Sequence, residues 1–201
     1  LASLEHHVND IRQFGAPPVV AVNRFATDSA EESAVIRRAC ESMGVSHAVA
    51  DIFAHGGEGG RELAQAVIER AERKSKPFVP LYDLDRPIKE KFETIARRMY
   101  GASSVEYTRT AERDLAEIER LGYAGLPICV AKTPNSLTDD PKVVGLPSGF
   151  EITVRGFLLA AGAGYVVPLL GDIIRMPGLP VRPQAEKMDL VDDEVVGLLG
   201  G

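Results

Sequence analysis

Cysteine is scarce in this chain: 201 residues hold two, Cys40 and Cys129, far apart and in no CxxC spacing. That excludes a disulfide scaffold and a zinc ribbon, and two reduced thiols suit a cytoplasmic protein. Positive charge is also in deficit, with 23 Lys and Arg against 29 Asp and Glu and a formal charge of −6. No basic field is present to condense on nucleic acid or an acidic membrane surface, so polyanion binding is the first function class to drop. A long apolar run is missing as well. The longest uncharged stretch, Gly156 to Gly171, is broken by Gly162, Gly164 and Pro168, and it falls short of the roughly 18 apolar residues of a membrane span. The four histidines, His6, His7, His47 and His55, stand in no metal-ligand spacing, and no metal site is predicted. Neither a Ser-His-Asp nor a Cys-His arrangement can be assigned. The chain opens Leu1-Ala2-Ser3-Leu4-Glu5, with no initiator Met and no signal-peptide core. We therefore expect the C-terminal part of a larger protein.

What is present is an apolar fraction of 45%, enough for a packed core. Leu4, Val8, Ile11 and Phe14 recur at helical spacing up to Gly15. Pro17 to Val22 is a continuous apolar run of the kind found in strands covered on both faces. Thr27-Asp28-Ser29 offers cap oxygens to a helix carrying Val35, Ile36, Ala39, Cys40 and Met43 and stopped by Gly44. Val45 to Phe53 reads as the next strand, and the cluster Gly56 to Gly60 leads into a third helix with Leu63, Ala64, Val67, Ile68 and Ala71 inward. Strand alternating with helix predicts an α/β fold: an open, mostly parallel, Rossmann-like sheet with helices on both faces.

Lys74 to Pro80 reads as a linker, which places a domain boundary after residue 76: an α/β domain over 1–76 and a smaller α+β part over 77–201. In the second part Pro87 opens a helix with Ile88, Phe92, Ile95, Ala96, Met99 and Tyr100, ended by Gly101. Ala111 to Leu121 repeats the pattern, Leu126 to Ala131 is a buried-type strand, and Lys132 to Pro147 is a polar loop. From Phe150 alternation predicts a half-exposed strand, and the tail from Gly162 predicts short strands and turns.

Several groups have both a chemical and an ordinary reading. Gly56 to Gly60 lies where backbone N–H groups of a helix start favour an anion, but it matches neither GxGxxG nor GxxxxGK[ST], and a turn needing positive φ explains it equally. His55 is the one histidine beside that candidate site. Lys132-Thr133 superficially resembles the end of a phosphate-binding loop, but Val130-Ala131 stands where glycine is required; Lys132 remains a candidate rim residue. Phe25 and Phe53 each follow a predicted parallel strand, where an aromatic either closes the core or presents a stacking face; the residues alone favour the core.

Five ordered segments carry a family resemblance: Val20 to Asp28, His55 to Gly60, Pro127 to Thr133, Ala161 to Gly164, and Met176-Pro177-Gly178-Leu179-Pro180. They resemble the C-terminal portion of formate–tetrahydrofolate ligase, and the likeness runs over essentially the whole chain. The resemblance implies a cytoplasmic, ATP-dependent ligase of one-carbon metabolism that joins formate and tetrahydrofolate through formyl phosphate. Its substrates would be ATP with Mg²⁺, formate and tetrahydrofolate. It further implies that Phe25 and Phe53, 28 positions apart, match the aromatic pair that sandwiches the folate ring; Phe53 departs from the Trp common there. Gly145, Pro147 and Ser148 match a region near the adenine, and Lys132, His55, Gly56 and Gly57 a possible site rim. Pro134-Asn135 departs from the family pattern. Because the family's phosphate loop lies upstream, a fragment with this span is predicted inactive alone, with the rest of its own polypeptide as its partner in a homo-oligomeric enzyme. The rival class is a non-catalytic folate- or nucleotide-binding module.

Overall fold

A computed structural model describes residues 1–25, 27–73, 76–171, 181–192 and 194–197, the side chains of residues 184 and 194 excepted. Contacts divide the chain into two compact units, Leu1–Gly171 and Asp172–Gly201. The first is mixed α/β.

Its opening helix, α1 (Ala2–Gln13), buries Val8 and is followed by Gly15 at φ +77°. Strand β1 (Val19–Asn23) pairs in parallel with β2 (Ser46–Ala50), Val19 opposite Ser46 through Asn23 opposite Ala50. Helix α2 (Ala30–Met43) connects them. Its start is a reciprocal capping box: the Ser29 hydroxyl accepts from the Glu32 N–H, and the Glu32 carboxylate accepts from the Ser29 N–H at 2.9 Å. It stops at Gly44, which is left-handed, as expected for a residue without a Cβ. Val8, Cys40 and Val45 form a small core with Leu4, Val20, Ile36 and Met43 around it. Of the run Pro17 to Val22, Val19 to Val22 lies in a strand, but it is not covered on both faces; β1 stays half-exposed in a sheet of two strands among the described residues.

Strand β2 ends at Ala50, earlier than the predicted Phe53. Asp51 breaks the extended chain, and Ile52–His55 forms the single-turn helix α3, followed by a 3₁₀ turn over Gly56–Gly60 and helix α4 (Arg61–Glu72).

The larger core lies further along. Helix α5 (Ile88–Ile95) runs into a π-helical turn, Ala96–Tyr100, ended by Gly101 at φ +78°. Strand β3 (Ser104–Tyr107), helix α6 (Arg109–Arg120), strand β4 (Glu151–Ala160) and strand β5 (Tyr165–Leu170) follow, giving a sheet of order β3-β4-β5 with a parallel first pair and an antiparallel second. Thr108 fixes α6 to this sheet, since its hydroxyl accepts from Ala111 N–H and donates to the Arg155 carbonyl at 2.9 Å. A bulge between Val154 and Gly156 frees the Phe157 N–H, which donates to Asp114 Oδ2. Ile88, Phe92, Leu115, Ile152, Val154, Val166 and Leu170 fill the interior.

Lys91 is wholly buried, and among the described residues it has no acidic partner within bonding reach. Its ammonium donates to the carbonyls of Leu84, Ala124 and Leu126 at 3.2, 2.6 and 2.7 Å, clamping two loops onto α5.

The predicted strand Leu126 to Ala131 is only a pair of isolated bridges to β5, Ile128 with Val166 and Ala131 with Leu169. Its bonds run Val166 N to Pro127 O, Cys129 N to Val166 O, Ala131 N to Pro168 O and Leu170 N to Ala131 O. The absent rung is the one that Pro168 would donate to the Cys129 carbonyl. Proline has no N–H, so the ladder is cut in the middle.

In the second unit a 3₁₀ turn over Gln184–Lys187 precedes the antiparallel hairpin of β6 (Asp189–Val191) and β7 (Glu194–Val196), in keeping with the short strands predicted for the tail. The motif Met176 to Pro180 lies outside the described residues.

Candidate functional site

Parallel strands end with their carboxyl edges on one side, and open α/β sheets place their sites there. Here β1 delivers Arg24 and Phe25 to that edge while β2 delivers Asp51 and, one helical turn on, Phe53 and His55. The Arg24 N–H donates to the Ala50 carbonyl at 2.9 Å and prolongs the ladder by one bond. Phe25 is held by Asp28 from both sides: its N–H donates to Asp28 Oδ2 at 2.8 Å and its carbonyl accepts the Asp28 N–H.

Asp51 is the pivot of the corner. Its Oδ2 lies 3.7 Å from Arg24 Nη1 and 3.4 Å from His55 Nδ1. Its backbone N–H donates to the Gly59 carbonyl, and its carbonyl accepts the His55 N–H. Gly59 packs so closely that a Cβ there would run into the Asp51 carbonyl. Gly56, at φ 56° and ψ −140°, takes a conformation that strains any other residue. The glycine cluster is thus a backbone requirement of the turn that carries Phe53.

The two aromatic rings face solvent. Phe25 is 61% exposed and Phe53 85% exposed, and neither stacks on another ring among the described residues. The core reading of these residues is therefore wrong. Two large apolar side chains thus face water at one edge of the sheet. Beside them, at the start of α2, lies a cavity of about 270 Å³ whose lining includes Arg24, Ser33, Arg37 and His47 but neither phenylalanine.

The remaining candidates lie elsewhere in the first unit. The Lys132 ammonium donates to the carbonyls of Thr133 and Ser136 and sits 5.2 Å from the centre of the Tyr100 ring. Burial pushes the Lys132 amine below the ordinary lysine value and the Tyr100 hydroxyl up to about 12. Ser136 and Thr138 are buried and bonded to each other, so this loop is a closed polar knot. Gly145, at φ +86°, Pro147 and Ser148 line a bend without regular structure. Among the described residues no hydrogen bond or ion pair joins Lys132 or residues 145–148 to the Phe25 and Phe53 corner. Sequence reasoning passed over Arg24 and Asp51. The usable signal was an aspartate directly after a β-run and four residues before a histidine.

Comparison with known proteins bears on this corner. The formate–tetrahydrofolate ligase family matches residues 1–199. The formate–tetrahydrofolate ligase of Parabacteroides distasonis is 45% identical over 198 residues, which cover 98% of this chain and 36% of that protein. The chain therefore spans about a third of the length of that relative. A match over nearly every residue, including the strand ends and glycine turn that present the two exposed rings, places the chain in the formate–tetrahydrofolate ligase family.

Proposed function

We propose that this chain supplies the folate platform of an ATP-dependent ligase that forms 10-formyltetrahydrofolate, ADP and phosphate from ATP, formate and tetrahydrofolate by way of formyl phosphate. The observation that carries the reading is the pair of solvent-facing rings, Phe25 and Phe53, at the carboxyl ends of neighbouring parallel strands. A pterin is planar and lies between two such faces. Asp51 tethers Arg24, beside the first ring, to His55, beside the second, and keeps the two loops at one separation. Gly145, Pro147 and Ser148 belong to the adenine side in this reading, and Lys132, Gly56 and Gly57 to the rim.

The phosphoryl-transfer centre is assigned to the part of the family that precedes these residues. Among the described residues no three His, Cys, Asp or Glu side chains converge, so no step through Mg²⁺ is derived from them. This reading keeps a boundary near residue 76, with one apolar cluster on either side of it, inside the compact unit Leu1–Gly171. In this reading the working enzyme is a cytoplasmic homo-oligomer; no helix of the described residues is long and apolar enough to cross a membrane.

Stacking on an aromatic face is worth about 1–3 kcal/mol for a nucleobase, and a pterin is comparable in size. In a polypeptide of the family's full length carrying this sequence, Phe25→Ala or Phe53→Ala is expected to raise the apparent constant for tetrahydrofolate about tenfold or more and leave that for ATP unchanged. Phe53→Trp is expected to be tolerated. Steady-state kinetics with each substrate varied in turn makes the check, and equal weakening of both substrates sinks the sandwich. The 201-residue chain alone is expected to make no 10-formyltetrahydrofolate; turnover by it at a full-length rate refutes that assignment.

A further inference from the structure

Overall charge argued against any polyanion, but a sum over 201 residues conceals where the cations stand. Four of them line one cavity of about 470 Å³ at the amino ends of β1 and β2, opposite the edge that carries the two rings. They are Arg12 in the last turn of α1, Arg70 in the last turn of α4, Arg73 just after it, and Lys76. Among the described residues no acidic side chain lines that cavity. We propose that it is a binding site for a small polyanion of the diphosphate or triphosphate class.

The first alternative is that these cations merely answer helix dipoles. Helices α1, α2 and α4 all end here, and each terminus carries roughly half a negative charge, about −1.5 together. Arg12 visibly plays that part, since its Nη2 donates to the Met43 carbonyl at the end of α2 at 2.7 Å. Four positive charges exceed the requirement by more than two. The side chains of Arg70, Arg73 and Lys76 form no ion pair or hydrogen bond among the described residues. A concave surface with unanswered charge of one sign focuses its field on whatever occupies it.

The walls are preformed. Gly15, at φ +77°, packs against the Pro77 carbonyl, where a Cβ would collide, and the Val79 N–H donates to the Phe14 carbonyl. These contacts anchor the backbone that carries Lys76 to the end of α1. Gly44 closes the end of α2 in its left-handed cap. Three guanidinium groups present forked donors that match phosphate or carboxylate oxygens in pairs, and the volume lies within the roughly 300–1,000 Å³ of small-molecule sites. A single phosphate would engage only part of this set, so the ligand carries at least two anionic groups.

Tripolyphosphate serves as the probe, titrated calorimetrically into the 201-residue chain at low ionic strength, with orthophosphate and citrate in parallel. Saturable one-to-one binding of tripolyphosphate is expected, at least tenfold tighter than orthophosphate and weakened at least tenfold in Arg70→Ala/Arg73→Ala. Citrate binding as tightly as tripolyphosphate overturns the assignment to the diphosphate or triphosphate class. Absence of saturable binding, or binding that the double variant leaves intact, overturns the proposal. Should that variant lose its circular-dichroism signal, Lys76→Gln, in no regular element, makes the same comparison and is expected to weaken binding severalfold.

Discussion

Lys91 shows how much one side chain can be asked to do. A buried ammonium is costly, and here its bonds go to three carbonyls of loops that have no regular structure of their own. Replacing it by methionine keeps the volume and leaves those acceptors without a donor, and each such group costs about 1–3 kcal/mol. Lys91→Met is expected to lower unfolding free energy at neutral pH by about 3 kcal/mol in urea titrations, with the largest local effect on the loops at Leu84 and Ala124. Burial holds the Lys91 amine below the ordinary 10.5, with Asp85 opposing only in part. Between the folded value and 10.5 the unfolded chain therefore binds the proton more strongly, so this group's contribution to stability rises with pH across that window and is flat below it. The methionine variant is expected to lack that rise. An unchanged pH profile would show that Lys91 titrates as it does in the unfolded chain.

Elements were legible where their ends are written in local chemistry. Ser29 three residues before Glu32, and Gly44 after Met43, mark both ends of α2, and the structure uses both. Ser29→Ala removes one half of the box and is expected to cost about 1 kcal/mol, measured by chemical unfolding. The Glu32 carboxyl, held below its ordinary value first by the Ser29 backbone N–H, contributes stability above pH 4.5 that fades as pH falls through its folded value. What could not be read was set by partners distant in sequence. The run Leu126 to Ala131 has every local mark of a buried strand, yet its pairing is broken by a proline some forty residues later. Likewise Phe25 and Phe53 look like core residues from composition alone; only the placement of the strand ends shows them facing water. Asp51 left only a faint local mark, the histidine four residues on, because its value comes from lying close to two residues from different elements.

At the scale of the whole molecule the first unit carries, besides the β3-β4-β5 sheet, the parallel pair β1-β2, which no further strand joins among the described residues. Two strands alone bury little, and β1 remains half-exposed although its first four residues are apolar. Phe78, Val144, Ile68 and Val67 add exposed apolar surface beyond the two ring residues. The isolated chain is therefore expected to self-associate, its apparent mass by light scattering rising with concentration above the 21.7 kDa of one copy. A constant monomer mass at high concentration, without binding of an apolar dye, would show that these residues are dispersed too thinly to stick.

Pro168 also sets a timetable. With no bond across the middle, the segment from Pro127 to Ala131 is attached to β5 by two pairs of bonds instead of one continuous ladder. Val166 makes both bonds of one pair, with Pro127 and Cys129; Ala131 makes both of the other, with Pro168 and Leu170. Either pair can part while its neighbour stays closed, so the amide protons of the two pairs meet solvent as independent events with separate lifetimes. A single imino acid thus turns one cooperative zipper into two latches, and the loop that begins at Lys132 hangs from the second.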